Sequence, residues 1–292
     1  MSYLFLVSLI WGFSFGIIKH SLSGIDSSFI AFARLFISLL VFIPFLNLKP
    51  VKPQLFLKLL LIGSLQFGVM YLCYIEAFRY LAAYEVALYT VFTPLYVVMF
   101  YNLITREANP LFFFSALLAV LGSVVIHYRS VQLPDNYLGF LLVQLSNLSF
   151  AAGQVGYKLL KLEESGIKQH RVFGILYLGG LFVAALSLLG KGNIPVLTVR
   201  HFVSLLYLGI LPSAVCFFLW NYGARITNTG ILSVFNNLKI PVAIIISLLF
   251  FGEQGDPLTL AAGSIILLIA LLINRYRLLG SKLPLRKEQT EN

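Results

Sequence analysis

Lys239 is the one charged residue in the apolar stretch 231–251, which reads I-L-S-V-F-N-N-L-K-I-P-V-A-I-I-I-S-L-L-F-F. Twenty-one largely apolar residues suit an α-helix that crosses about 30 Å of hydrocarbon. A lysine at the centre of such a helix costs about 2.5–3.5 kcal/mol on insertion scales. Two chemistries are open to it. It can hold a carboxylate or other anion in a wet cavity. It can instead pair with a buried carboxylate, for which Glu76, near the outer end of another apolar stretch, is the candidate charge partner. A fully buried pair is expensive, because desolvation can exceed the Coulombic gain.

Other polar residues recur at helical spacing. Gln144, Asn147 and Gln154 form one set, and Glu85, Tyr89, Thr93 and Tyr96 a second. Asn236 and Asn237 accompany Lys239, Gln66, Tyr74 and Glu76 share a stretch, and Trp11 and Ser14 lie near the N-terminus. Spacings of three, four and seven put side chains on one helix face. A single Asn or Gln on an apolar helix commonly cross-links neighbours, at about 0.6 kcal/mol per bond. Polar stripes repeated on several helices fit a cavity in the bundle interior. The candidate substrate-binding set is therefore Lys239, Asn236, Asn147, Gln154, Trp11, Tyr89, Tyr74 and Gln66. Arg34 lies toward the outer third of its stretch, where a long side chain reaches the interface, and fits a structural role.

The elements that must position these residues are membrane spans. Of 292 residues, 59% are hydrophobic and 11% charged, against about 25% charged in a soluble domain. Mean hydropathy is +0.91. So few charges cannot cover a soluble globule, and the class expected is an all-α integral membrane protein. The 26 Phe and 15 Tyr suit rings at headgroup depth. Residues 1–18 are apolar without a preceding basic stretch or a small-residue cleavage site, which predicts a retained first helix rather than a signal peptide. Cys73 and Cys216 both lie in apolar runs and read as small buried side chains.

Breaks at Pro, Gly, Asn and charge clusters predict ten transmembrane helices: 2–18, 28–46, 55–78, 83–104, 110–127, 137–157, 172–189, 200–221, 231–251 and 258–274. They must be helical, because lipid offers the backbone no hydrogen bonds. With the N-terminus cytoplasmic, fourteen Lys and Arg fall on the cytoplasmic side and five outside, with Arg34 and Lys239 inside spans. That asymmetry places both termini in the cytoplasm. It also accounts for most of the net charge of +10 without a nucleic-acid partner. The basic C-terminal tail reads as a topology anchor.

The halves resemble each other. L-I-W-G-F-S-F-G-I-I-K at 9–19 and L-S-F-A-A-G-Q-V-G-Y-K at 148–158 match at an offset of 139. Pro94 and Pro241 are 147 apart, Glu107 and Glu253 are 146 apart, and so are Arg79 and Arg225. Each half has five spans, an odd number, so the second copy enters the membrane inverted. The predicted units are a first five-helix repeat over 1–130, a second, inverted one over 137–276, and the basic cytoplasmic tail 277–292. Pro94 and Pro241 are the candidate helix kinks, and equivalent interruptions mark the site between the halves of such transporters.

With these residues in view the chain resembles the ten-span, EamA-type members of the drug/metabolite transporter superfamily. The matching residues are W-G-F-S-F at 11–15, F-A-R-L at 32–35 and T-P-L-Y at 93–96. In the second half they are L-W-N-Y-G-A-R at 219–225, I-P-V at 240–242 and F-G-E at 251–253. The resemblance implies a polytopic exporter or exchanger of small metabolites, often amino acids or related compounds, without nucleotide-hydrolysis machinery.

The function expected is secondary transport of a small polar metabolite, such as an amino acid or carboxylate, by alternating access around a central cavity. The partners expected are a small-molecule substrate, the lipid bilayer of a bacterial inner membrane and a coupling proton or ion. The chain has no G-x-x-x-x-G-K-[ST] motif, and His20, His127, His170 and His201 lack metal-ligand spacing, so neither cofactor nor metal is called for. An intramembrane enzyme would need a catalytic dyad or metal set at membrane depth. The remaining alternative is a non-transporting intramembrane structural or interaction subunit, which does not predict polar stripes converging at the midplane.

Overall fold

The structure, a computed structural model of the 292-residue chain, describes residues 2–81, 83–107, 110–126, 136–160, 162, 166–189, 195–250 and 257–280. Among the described residues the fold is all-helical, with no strand. The first half supplies α1 (Ser2–Ser21), α2 (Ser27–Phe42), α3 (Pro53–Gly63), α4 (Met70–Ala77), α5 (Ala83–Tyr89), α6 (Thr93–Thr105) and α7 (Pro110–Ile126). The second supplies α8 (Tyr137–Lys158), α9 (Phe173–Leu188), α10 (Val199–Leu208), α11 (Cys216–Ile226), α12 (Thr229–Phe250) and α13 (Pro257–Gly280).

Six segments of the described residues are long and apolar enough to cross a membrane: Tyr3–Ser21, Ser27–Phe45, Pro53–Ala77, Glu85–Thr105, Tyr137–Lys158 and Val199–Ile226. Shorter apolar helices lie at Pro110–Val125, Phe173–Leu188 and Ala261–Ala270. The helix expected over 200–221 continues to Ile226 as α11, and the one expected to end at 274 runs to Gly280 as α13. Polar residues near both helix ends continue the helix rather than ending it. His127, Arg129, Lys161, Lys191, Glu253 and the tail beyond Gly280 lie outside the described residues.

Helix starts follow from local chemistry. Asp26 Oδ1 accepts from the backbone N–H groups of Ser28 (2.9 Å) and Phe29 (3.2 Å), capping α2. Asn136 caps α8 through the Gly139 N–H (3.1 Å). Thr198 and His201 form a reciprocal capping box at α10, so His201 serves a helix end. Each cap satisfies donors that the helix itself leaves unpaired.

Two long helices change pitch midway. Ser64–Val69 is a π-helical turn joining α3 to α4, and Gly209–Val215 is one joining α10 to α11. Pro212, inside the second, lacks the N–H that regular helix requires there. The loosened carbonyls are taken up by side chains. Tyr177 Oη donates to the Ser213 carbonyl (2.7 Å) and Ser38 Oγ to the Gly209 carbonyl (2.9 Å). The third interruption is the 3₁₀ turn Thr90–Phe92 between α5 and α6. Pro94 therefore follows a broken turn, whereas α12 runs through Pro241 as one helix. The two prolines differ in local structure.

Packing is close where glycine permits it. A Cβ on Gly63 would stand 2.0 Å from the Leu176 carbonyl oxygen, and one on Gly179 would stand 2.1 Å from that of Leu60. The backbones of α3 and α9 thus touch, as small residues allow between membrane helices. The contacts come in matching pairs. α1 packs on α12 as α8 packs on α6, and α2 packs on the Gly209–Val215 turn as α9 packs on the Ser64–Val69 turn. Large apolar side chains such as Leu103, Phe113 and Phe182 are exposed, while Gln66, Gln154, Asn221 and Asn236 are fully buried. That inversion of a soluble protein's pattern suits a lipid solvent.

Candidate functional site

A cavity lies among α1, α2, α4, α8, α11, α12 and the 3₁₀ turn at Thr90. It holds about 560 Å³ of space between protein atoms, the open solvent at its mouth included. On α1 its wall runs from Trp11 through Ser14 and Phe15 to Ile18, and on α4 from Met70 to Tyr74. It therefore extends from mid-span toward the helix ends that carry Lys19 and Arg79. We call this side the Lys19 face and the opposite one the Lys158 face. Toward the Lys158 face the cavity is closed by a cluster of rings packed at tilted angles. Trp11 lies 4.9 Å from Trp220 and 5.0 Å from Phe217, and Phe150 lies 6.1 Å from Trp220, centroid to centroid. Trp11 Nε1 donates to the Pro212 carbonyl (3.0 Å), using an oxygen freed by the π turn.

Lys239 is 8% exposed and lines the cavity. Its Nζ sits 5.9 Å from the ring centroids of both Trp11 and Phe150, within cation–π range. No hydrogen bond or ion pair from the described residues reaches it. The expected pairing with Glu76 is not made. The Glu76 carboxylate is engaged at the end of α4 by Arg79 Nη1 (2.9 Å) and by Ser27 Oγ. A nearer cation and a hydroxyl satisfy it, and among the described residues no carboxylate meets Lys239.

Arg34 corrects the reading from sequence. It does not reach for the interface; it is 3% exposed and lines the same cavity. Its Nη2 donates to Tyr71 Oη (2.9 Å), Nε and Nη2 donate to Ser213 Oγ (3.2 and 3.1 Å), and the guanidinium carbon lies 4.3 Å from the Tyr71 ring centroid. Ser213 gives its own proton to the Leu208 carbonyl (2.6 Å), so the 2.7 Å contact between Tyr71 Oη and Ser213 Oγ is donated by Tyr71. Every group holding Arg34 is neutral. Its Nη1 is buried without a partner.

Of the eight residues expected to bind substrate, Trp11, Tyr74, Asn147 and Lys239 share this cavity. Asn147 Nδ2 donates to the Tyr89 carbonyl (2.8 Å), which leaves Oδ1 as an acceptor at the wall. The other four make helix contacts. Gln66 Nε2 donates to Asn221 Oδ1 (3.1 Å), Gln154 Oε1 accepts from Trp220 Nε1 (2.9 Å), and Asn236 Nδ2 bonds to its own helix at Leu232 (2.9 Å). Tyr89 presents its carbonyl to Gln144 (3.0 Å) and Asn147, with its ring 5.1 Å from Phe140. Next in the chain, the 3₁₀ turn advances 120° per residue instead of about 100°. Thr90 faces the cavity in place of Tyr89.

Among the described residues the wall thus carries two cations, aromatic rings and small polar groups, and no acidic residue. This is a multi-pass membrane protein with a buried small-molecule cavity, the class of small-metabolite transporters. The chain belongs to the EamA-like transporter family, whose model matches residues 1–128 and again 137–275. It is a transporter, not an enzyme. It is 36% identical over 279 residues to the biotin transporter of Salmonella typhimurium, covering 94% of this chain and 93% of that one. It is 38% identical over 280 residues to a probable biotin transporter of Pseudomonas aeruginosa, covering 94% and 97%. One solved crystal structure superposes with a TM-score of 0.73 over 94% of this chain and 96% of its own, at 16% identity, a likeness of fold alone.

Proposed function

We propose that the chain is a secondary transporter of a biotin-like carboxylate in a bacterial inner membrane. The observation that carries this reading is the pair of cations, Arg34 and Lys239, on one aromatic-walled cavity without a lining carboxylate. An uncompensated charge at membrane depth is expensive. A bound anion offsets that cost, so the site favours a carboxylate over its neutral amide. Biotin joins a carboxylate to an aliphatic chain and a fused ureido ring. The carboxylate suits Lys239, with the Arg34 guanidinium on the same wall. The chain and ring suit Trp11, Phe150 and Phe217, and a ureido N–H suits the Asn147 Oδ1.

The architecture proposed is ten spans in two inverted five-helix halves, 1–130 and 137–276, with both termini cytoplasmic. The matched helix contacts and the two family matches support the halves. The excess of cytoplasmic Lys and Arg supports the orientation. In that orientation the cavity faces outward, and transport is alternating access by rocking of the halves.

The test is flux of radiolabelled biotin in liposomes containing only this protein, measured in both directions. The reading expects saturable biotin flux, competed by carboxylate analogues and weakly by biotin amide. Equal competition by acid and amide, or amino-acid flux without biotin flux, would overturn the substrate assignment.

A further inference from the structure

Cations at four helix ends form two matching devices, and one of them is only half made. Facing the Lys158 side, α8 and α11 cap each other. Lys158 Nζ, at the end of α8, donates to the carbonyls of Ala224 (2.6 Å) and Thr227 at the end of α11. Arg225 Nη1, at the end of α11, donates back to the carbonyls of Tyr157 (3.2 Å) and Leu160 at the end of α8. Carbonyls at a helix C-terminus lack intrahelical donors and carry the negative end of the helix dipole. Cations there make charge-assisted bonds at partly buried sites.

Facing the other side, α1 and α4 hold the equivalent residues. Lys19 is 139 before Lys158 and bonds to the carbonyls of Phe78 (2.8 Å) and Leu81 (2.9 Å). These are 146 before Ala224 and Thr227, so the lysine half of the device is reproduced residue for residue. The arginine half is not. Arg79, 146 before Arg225, would reach the carbonyls of Ile18 and Ser21 under the same correspondence. Instead it turns to Glu76 on its own helix (2.9 Å), with 65% of its side chain exposed, and the end of α1 is met by Arg200 of α10, whose Nη2 donates to the His20 carbonyl (3.1 Å) and Ser21 Oγ (3.4 Å) and would have to yield to Arg79. The cavity extends toward this face, and the completed device lies beyond the rings that close the other.

We propose that the reciprocal Lys–Arg capping is the gate of alternating access, built once in each half and completed at one face at a time. In the present state the Lys158 gate is shut and the Lys19 gate is open, with Glu76 acting as the rest that keeps Arg79 off α1. In the opposite state Arg79 leaves Glu76 and caps α1 at Ile18 and Ser21, while Arg225 releases Tyr157 and Leu160. Arg79, Arg225 and Glu76 are thus positioning residues that set which face is open, while the lysine caps hold at both. This inference rests on the transport reading, but not on the identity of the substrate.

The test reads the open face without any substrate. Ser14→Cys, in a Cys73→Ser/Cys216→Ser background, places one thiol in the cavity wall. A membrane-impermeant maleimide is applied from each face in sealed vesicles of known orientation, and the ratio of the two labelling rates is measured. Arg225→Gln should shift the ratio toward the Lys158 face by about tenfold, the size expected when charge-assisted bonds are removed. Glu76→Gln, which frees Arg79, should shift it the same way. Arg79→Gln should hold the ratio at the Lys19 face and slow exchange between faces, and Arg79→Lys should restore part of that exchange. Labelling after denaturation checks that every variant is present and intact, and Arg225→Lys serves where Arg225→Gln does not fold. A ratio and an exchange rate unchanged by both Arg79→Gln and Glu76→Gln would overturn the gate whatever the flux assay shows. Absence of biotin flux with the shifts as expected would overturn only the substrate.

Discussion

The Lys239 ammonium from the second half sits 5.9 Å from the Trp11 ring of the first half, and the same Trp11 side chain donates its N–H to the Pro212 carbonyl (3.0 Å). One tryptophan thus joins the cation, the π turn and the floor of the cavity. The electrostatics of the ring favour a cation at its face, but a cation–π contact is worth about 0.5–2 kcal/mol and does not neutralise the charge.

Lys239→Ala should abolish saturable flux while leaving a folded, inserted protein. It removes an insertion cost of about 2.5–3.5 kcal/mol, so its melting temperature in detergent should equal or exceed that of the wild type. Lys239→Arg should restore flux in part, because a planar fork does not replace a compact ammonium. Since Glu76 is bound to Arg79 and Ser27, the stability effects of Lys239→Ala and Glu76→Gln should add within about 0.5 kcal/mol. A strong non-additive rescue would restore the pairing of Lys239 with Glu76.

Arg34→Lys keeps the charge but loses the fork that spans Tyr71 and Ser213. Its KM for the carboxylate should rise about tenfold, the size expected for one charge-assisted hydrogen bond, with a smaller change in competition by the amide. Tyr71→Phe removes one of the neutral anchors and should give a weaker effect in the same direction. Unchanged KM in both variants would return Arg34 to a purely structural role.

Cysteine substitutions should divide the eight candidate residues as the cavity does. Trp11, Tyr74 and Asn147 variants should react with an impermeant thiol reagent, and substrate should protect them. Gln66, Gln154 and Asn236 variants should be inert in the folded protein, because these side chains are fully buried in helix contacts. Fast labelling at Gln154 would show that water enters beyond the ring cluster.

Two glycine substitutions should separate backbone contact from side-chain contact. Gly179→Ala brings a methyl to 2.1 Å from the Leu60 carbonyl oxygen and must push α9 off α3. It should lower the melting temperature markedly, as overpacking by about 1–3 kcal/mol or more does. Gly156→Ala meets the Ile62 side chain at 3.3 Å, which can yield. Its effect should be small.

What the sequence by itself determined is the part written in composition and period. Long apolar runs dictate helices, because no other open structure satisfies the backbone in lipid. The spacing of breaks located nearly every helix to within a few residues. The charge of Lys239 at mid-span was legible for the same reason: one residue against an apolar background needs no knowledge of its neighbours. Whether Glu76 pairs with it was not. Tertiary structure decided which polar residues meet. Gln66, Gln154 and Asn236 carry the same letters and spacing as residues that line a cavity, but each found a partner on a neighbouring helix or its own turn. Helix pitch decided the exchange of Tyr89 for Thr90 at the wall. No residue type announces a 3₁₀ or π turn inside an apolar run, although Pro212 marks one of them in retrospect. Arg34 was placed by depth alone and read as a surface anchor. Its role depends on Tyr71 and Ser213 arriving from two other helices, one in each half of the chain. Contacts at sequence separations of 37 and 179 residues follow from how the helices cross, and helix crossing is set by packing that a one-dimensional pattern does not contain.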